Sequence, residues 1–72
     1  MKMNELFLFS EIYKQRQIEE TIDAFSDLCS VDVVEYEDGF GCVFSDLRYD
    51  VEITKKEFEN YLIDLINTTK DW

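Results

Sequence analysis

The dipeptide Asp38-Gly39 constrains this chain more than any other feature. It stands between two runs rich in β-branched and aromatic residues, Val31–Tyr36 and Gly41–Leu47. Asp-Gly is among the strongest short-range hairpin signals, because glycine accepts the positive φ that tight turns demand. Glu37-Asp38-Gly39-Phe40 therefore predicts an antiparallel hairpin. Strand alternation in its second arm sends Phe40, Cys42 and Phe44 to one side and Gly41, Val43 and Ser45 to the other.

The remaining segments supply one more strand and two helices. Glu5-Leu6-Phe7-Leu8-Phe9 is bulky, ends at Ser10 and reads as a strand. Ile12 and Tyr13 form a short connection. Gln15 to Cys29 reads as a helix, since Ile18, Ile22, Phe25 and Cys29 fall on one face at about 100° per residue. Asp46–Ile53 reads as a turn or a short sheet extension, with Tyr49, Val51 and Ile53 in alternation. Thr54-Lys55-Lys56-Glu57 has the form of a capping box, with Thr54 as N-cap. The helix it opens carries Phe58, Leu62, Leu65 and Ile66 on one face, with Tyr61 at the margin, and frays after Asn67. Trp72 would share that face if the helix continued. The expected fold is α+β: one small domain, residues 1–72, of order β-α-β-β-α. Its three-stranded, mostly antiparallel sheet carries both helices on one face.

Composition narrows the function classes. In 72 residues there are 17 acids, 7 bases and no histidine, a formal net charge of -10. The usual acid–base group near neutral pH is missing, and an enclosed substrate pocket is not expected at this size. We therefore expect no enzyme and no catalytic residues. A phosphate-backbone binder needs clustered Lys and Arg, so no direct nucleic-acid contact is expected either. A disordered acidic tail would be poor in aromatics, and this chain is 15% aromatic. Without proline or a Gly/Ser run there is no linker.

Cys29 and Cys42 are too few for a disulfide scaffold or a structural zinc site, and read as buried free thiols. Cys29 has no histidine to activate it, and Asp27 and Asp32 oppose a thiolate. The carboxylate pairs Asp46/Asp50 and Glu35/Glu37 lie in no calcium-loop pattern, so neither a metal nor a cofactor is expected. No apolar run approaches a membrane span, and Leu6–Phe9 is too short for a signal-peptide core. The expectation is a cytoplasmic protein.

Two surfaces remain as candidates for binding. The first is acidic: Glu19, Glu20, Asp23 and Asp27 on the outer face of the first helix, with Glu35, Glu37 and Asp38 on the hairpin. A solvated face explains these acids simply; a surface that steers a basic partner is the functional alternative. The second is apolar. Leu6 and Leu8 point away from Phe7 and Phe9, and Val31 and Val33 away from Val34 and Tyr36. A sheet covered on one side should alternate apolar with polar, and these strands do not. Either another chain covers the second face, or a bulge swaps faces and leaves a locally irregular sheet with a few exposed hydrophobes. Leu6, Leu8, Val31, Val33 and Val43 are taken as the apolar sheet-face interface. Together these features predict a protein or peptide partner, a homodimer, and no membrane contact. Ile63 falls off the apolar face of the second helix and reads as an exposed hydrophobe.

Three segments carry a family resemblance. Ile12-Tyr13 leads into a helix with Ile18, Ile22 and Phe25 that ends near Asp27–Cys29. Val31–Glu35 follows directly. Glu57-Phe58-Glu59-Asn60-Tyr61-Leu62-Ile63-Asp64 is similar to a Glu-Phe-x-Asn-x-Leu-x-Asp-like segment. Over roughly residues 6–66 the chain resembles the small HxsD-type proteins of His-Xaa-Ser peptide-maturation systems, which accompany radical-SAM enzymes. The resemblance implies an accessory or adaptor protein working with a maturase or its precursor peptide. The alternative expectation is an acidic inhibitor of phage or plasmid origin that blocks a basic nucleic-acid-binding protein.

Overall fold

The computed structural model describes residues 4–68. Along the chain run β1 (Glu5–Phe9), α1 (Gln15–Ala24), β2 (Ser30–Tyr36), β3 (Gly39–Ser45) and α2 (Val51–Thr68). The α+β order β-α-β-β-α is as the sequence predicts. The sheet order is β1-β3-β2, with both pairings antiparallel. The two edge strands β1 and β2 therefore run parallel to each other with β3 between them, a split β-α-β arrangement. Parallel strands need a crossover, and α1 provides it. The central position falls to β3, Gly-Phe-Gly-Cys-Val-Phe-Ser, which contains no charged residue. β1 contains Glu5, and β2 contains Asp32 and Glu35; those charges reach water more readily from an edge.

Register sorts the side chains. Leu6 pairs with Cys42, Leu8 with Phe40, Val31 with Phe44 and Val33 with Cys42. All these residues share one face, because directly opposed residues project to the same side. That face meets both helices. Leu8, Cys42 and Phe44 join Ile18 of α1, Phe25 directly after it, and Phe58 and Leu62 of α2 in one buried cluster. Edge-on ring contacts run through it: Phe44 to Phe58 at 5.2 Å, Phe58 to Phe25 at 5.3 Å, and Phe25 to Tyr61 at 5.8 Å. Phe58 is thus the link between the sheet and both helices.

Three local expectations are corrected. First, α1 ends at Ala24, not Cys29. The residues from Phe25 to Leu28 form turns, with the N–H groups of Leu28 and Cys29 both bonded to the Phe25 carbonyl. Cys29 is still buried, because the turns carry the chain back under the sheet.

Second, α2 begins at Val51, so Tyr49–Ile53 is not a sheet extension. Asp50 does the capping: its Oδ2 accepts from the N–H of Glu52 (3.0 Å) and of Ile53 (3.2 Å). Thr54 lies inside the helix, buried, its Oγ1 donating to the Asp50 carbonyl at 2.9 Å. The Thr-x-x-Glu spacing also occurs within a helix, and the carboxylate four residues upstream is the one that meets the free N–H groups.

Third, the hairpin loop is only Glu37-Asp38, since Tyr36 and Gly39 already pair. No glycine has positive φ among the described residues; the left-handed residue is Asp46, at φ 51. Asp tolerates that conformation better than most residues, and here it turns the chain out of β3. Gly39 therefore serves packing and not turn geometry. A Cβ there would strike the Leu8 carbonyl and lie 2.6 Å from Phe7 Cζ.

The expectation that Trp72 would share the apolar face of α2 falls outside the described residues. Ile63 is exposed, as its position off the apolar stripe predicts.

Candidate functional site

Among the described residues nothing covers the face of the sheet away from the helices, and that face is largely apolar. Register places Glu5, Phe7 and Phe9 of β1, Gly39, Gly41 and Val43 of β3, and Asp32, Val34 and Tyr36 of β2 on it. Phe9 is 53% exposed, Tyr36 49% and Val34 43%. Water-facing apolar groups this close together are a signature of an interaction surface.

This corrects the apolar interface drawn from the sequence. Leu6, Leu8, Val31 and Val33 belong to the opposite, helix-covered face, with Leu8 fully buried and the other three packed against the core. Only Val43 of that set lies on the uncovered face. The reason is the apolar character of both faces: alternation shows which residues travel together, but not which set the helices take.

The uncovered face has a built centre. Gly39 and Gly41 form its floor. The ring of Phe7 lies over Gly39, and the ring of Tyr36 lies over Gly41, where a Cβ would come within 2.7 Å of it. Phe7 and Phe9 meet edge-on at 5.0 Å, and Phe7 and Tyr36 are 5.8 Å apart at a 49° tilt. Aromatic side chains laid over strand glycines replace the packing that the glycines lack. Tyr36 donates its hydroxyl hydrogen bond to Glu5 Oε2 at 3.2 Å. The charge of Glu5 and then this hydrogen bond raise the Tyr36 phenol above its ordinary pKa. A groove of about 420 Å³ is lined by Glu5, Phe7, Phe9, Tyr36 and Asp38. No lysine or arginine occurs in any of the three strands.

The acidic residues do not form one site. Glu19, Glu20 and Asp23 are exposed on α1, and Asp27 is exposed in the turns after it. Gln15 Nε2 donates to Glu19 Oε2 at 3.3 Å, an ordinary helical pairing. Glu35 pairs with Phe40, so its position belongs to the helix-side face at the β2 edge, where it is exposed. Glu37 and Asp38 form the hairpin tip, where the Asp38 carbonyl accepts from Ser10 N–H at 3.1 Å. Of the acids singled out in the sequence, Asp38 alone lines the aromatic groove. Its second carboxylate, Glu5, was missed. The signal was available: Glu5 is two residues from Phe7 and four from Phe9, and so on their side of the strand.

The two cysteines are free and buried. Burial raises the Cys29 thiol, and burial with the charge of Glu5 pushes Cys42 up to about 11. Both are poor nucleophiles near neutral pH. The folded state holds the Cys42 proton more tightly than an unfolded chain, whose thiol ionises near 9.0. The associated stability is whole below pH 9 and is lost as pH rises through about 11. Urea unfolding followed by circular dichroism should lose about 2 kcal/mol across that interval. Cys42→Ala should flatten the slope, leaving the part due to Tyr13, Cys29 and Tyr36, which are also raised. A slope unchanged by the substitution would assign the loss elsewhere.

Among the described residues no group of three or more His, Cys, Asp or Glu side chains is placed to hold a metal ion. None of their helices is long and apolar enough to cross a membrane. Comparison with known proteins finds no matching family model, no matching curated protein and no matching solved structure.

Proposed function

We propose that this chain is a non-enzymatic, cytoplasmic protein-interaction module that works through the uncovered sheet face. The observation carrying this reading is the pairing of Phe9, Val34 and Tyr36 on one water-exposed, glycine-floored surface. A small domain that leaves these groups in water gives up burial worth about 25 cal/mol per Å², which a partner restores. The HxsD-type resemblance supplies the biological setting of the proposal: an accessory or adaptor protein that binds a maturase or its precursor peptide in ribosomal-peptide modification.

The test is capture of partners from the native host by the tagged chain at two salt concentrations. It uses three forms: wild type, Phe9→Glu, and the triple variant Glu19→Lys/Asp23→Lys/Asp27→Lys. All three should give the same circular dichroism, since the changed residues are exposed. Phe9→Glu should lose the partner and the triple variant should keep it. The opposite pattern would replace this reading with the acidic inhibitor, whose contact surface would be α1. Sedimentation at micromolar concentration tests the homodimer: a dimer abolished by Phe9→Glu would make a second copy the occupant of the face.

A further inference from the structure

We infer that the groove over Gly39 and Gly41 is a receptor for an arginine side chain of a partner polypeptide. This rests on the reading of the uncovered face as an interaction surface and names what that surface recognises. Three observations converge. The groove is walled by three rings, Phe7, Phe9 and Tyr36, packed edge-on and tilted and not stacked shut. Aromatic faces attract cations, and a guanidinium stacks on them better than an ammonium does. Two acidic residues, Glu5 and Asp38, belong to the same lining. Glu5 Oε2 already accepts from the Tyr36 hydroxyl, which holds the carboxylate in place and leaves its other oxygen for the planar donors of a guanidinium. The strands hold no basic residue that would occupy these carboxylates from within the sheet.

Charge also decides between occupants. A second copy of this chain would bring an equally base-free sheet against Glu5 and Asp32, setting acid against acid. A purely apolar segment would cover the rings but leave Glu5 and Asp38 without a counter-charge, and burying an unpaired carboxylate is costly. An arginine flanked by aliphatic residues satisfies both: the guanidinium lies among the rings and carboxylates, and the flanking side chains cover Val34 and Val43.

Gly39 and Gly41 are the chain's two glycines and lie beneath Phe7 and Tyr36, two of the groove's walls, so their amide signals are readily assigned and sense its occupancy. The experiment titrates the ¹⁵N-labelled full chain with acetylated, amidated Ala-Leu-Arg-Leu-Ala and, separately, with Ala-Leu-Gln-Leu-Ala. The arginine peptide should shift the Gly39 and Gly41 amides saturably, with a Kd on the order of millimolar, as befits one exposed contact. The glutamine peptide should not. Asp38→Asn should weaken the arginine peptide about fivefold, and Glu5→Gln likewise; high salt should do the same. Equal shifts from both peptides would overturn the arginine assignment while leaving the face an interaction surface. No shift from either peptide would overturn it as well, and the wider reading would then stand or fall on the Phe9→Glu capture. Glycine shifts that depend on protein concentration without peptide would give the groove to a second copy.

Discussion

Phe58→Ala should leave the domain barely folded at 25 °C. Phe58 is fully buried and touches Phe44 of the central strand and Phe25 after α1 through edge-on ring contacts. Truncating a buried phenylalanine costs about 3–5 kcal/mol, from lost transfer energy and the cavity left behind. The two ring pairs add roughly 0.5–1.5 kcal/mol each to what is lost. A domain of this size has a total stability on the order of 5 kcal/mol. Urea unfolding monitored at 222 nm should show a midpoint close to zero denaturant. Ile63→Ala, on the exposed side of the same helix, should stay within about 0.5 kcal/mol of wild type. A loss below about 1 kcal/mol for Phe58→Ala would mean that the helices dock on the sheet by some other contact.

The second large effect separates two glycines that look equivalent in sequence. Gly39→Ala should destabilise by about 1–3 kcal/mol, the range for forcing atoms into a packed site. Its new methyl would meet the Leu8 carbonyl, and backbone cannot rotate aside. Strand β1 must then move away from β3, opening the ladder on which the whole sheet depends. Gly41→Ala meets only side chains, the Glu5 carboxylate and the edge of the Tyr36 ring. Both can swing outward, and the alanine also reduces the freedom of the unfolded chain, worth about 0.4–1 kcal/mol in favour of folding. Gly41→Ala should therefore be near neutral in stability. Thermal unfolding of the two variants under identical conditions ranks them. If Gly41→Ala proved the more damaging, the packing of Tyr36 and Glu5 over the glycine floor would have to be tighter than described.

These residues also show how far a linear reading reaches. The hairpin was legible because its turn and its alternating arms are neighbours in sequence. The helix faces were legible because 3.6 residues per turn is a local rule. The reason for Gly39 was not: turn chemistry pointed to positive φ, whereas the constraint comes from Leu8 and Phe7, some thirty residues earlier. The cap of α2 was misplaced from Asp50 to Thr54 because two residue types compatible with capping lie four apart, and only backbone direction tells which one stands outside the helix. The candidate interface went to the wrong face for a related reason. Leu6 with Leu8 and Phe7 with Phe9 are equally apolar sets, so local pattern ranks neither above the other.

Sequence alone determined the kind and order of elements, the pairing of residues within each strand face, the burial of the cysteines and the poverty of basic groups in the sheet. All of these follow from short-range periodicity or simple counting. Tertiary structure decided that β3 lies at the centre and that the helices cover the Leu6–Leu8 side. It also placed Glu5 and Asp38 in one groove lining with Phe7, Phe9 and Tyr36. That juxtaposition joins residues more than thirty positions apart across β1, β2 and the hairpin tip. The antiparallel register sets Phe9, Gly39 and Tyr36 in one row and Phe7, Gly41 and Val34 in another, and the glycines leave room for the rings of Phe7 over Gly39 and Tyr36 over Gly41.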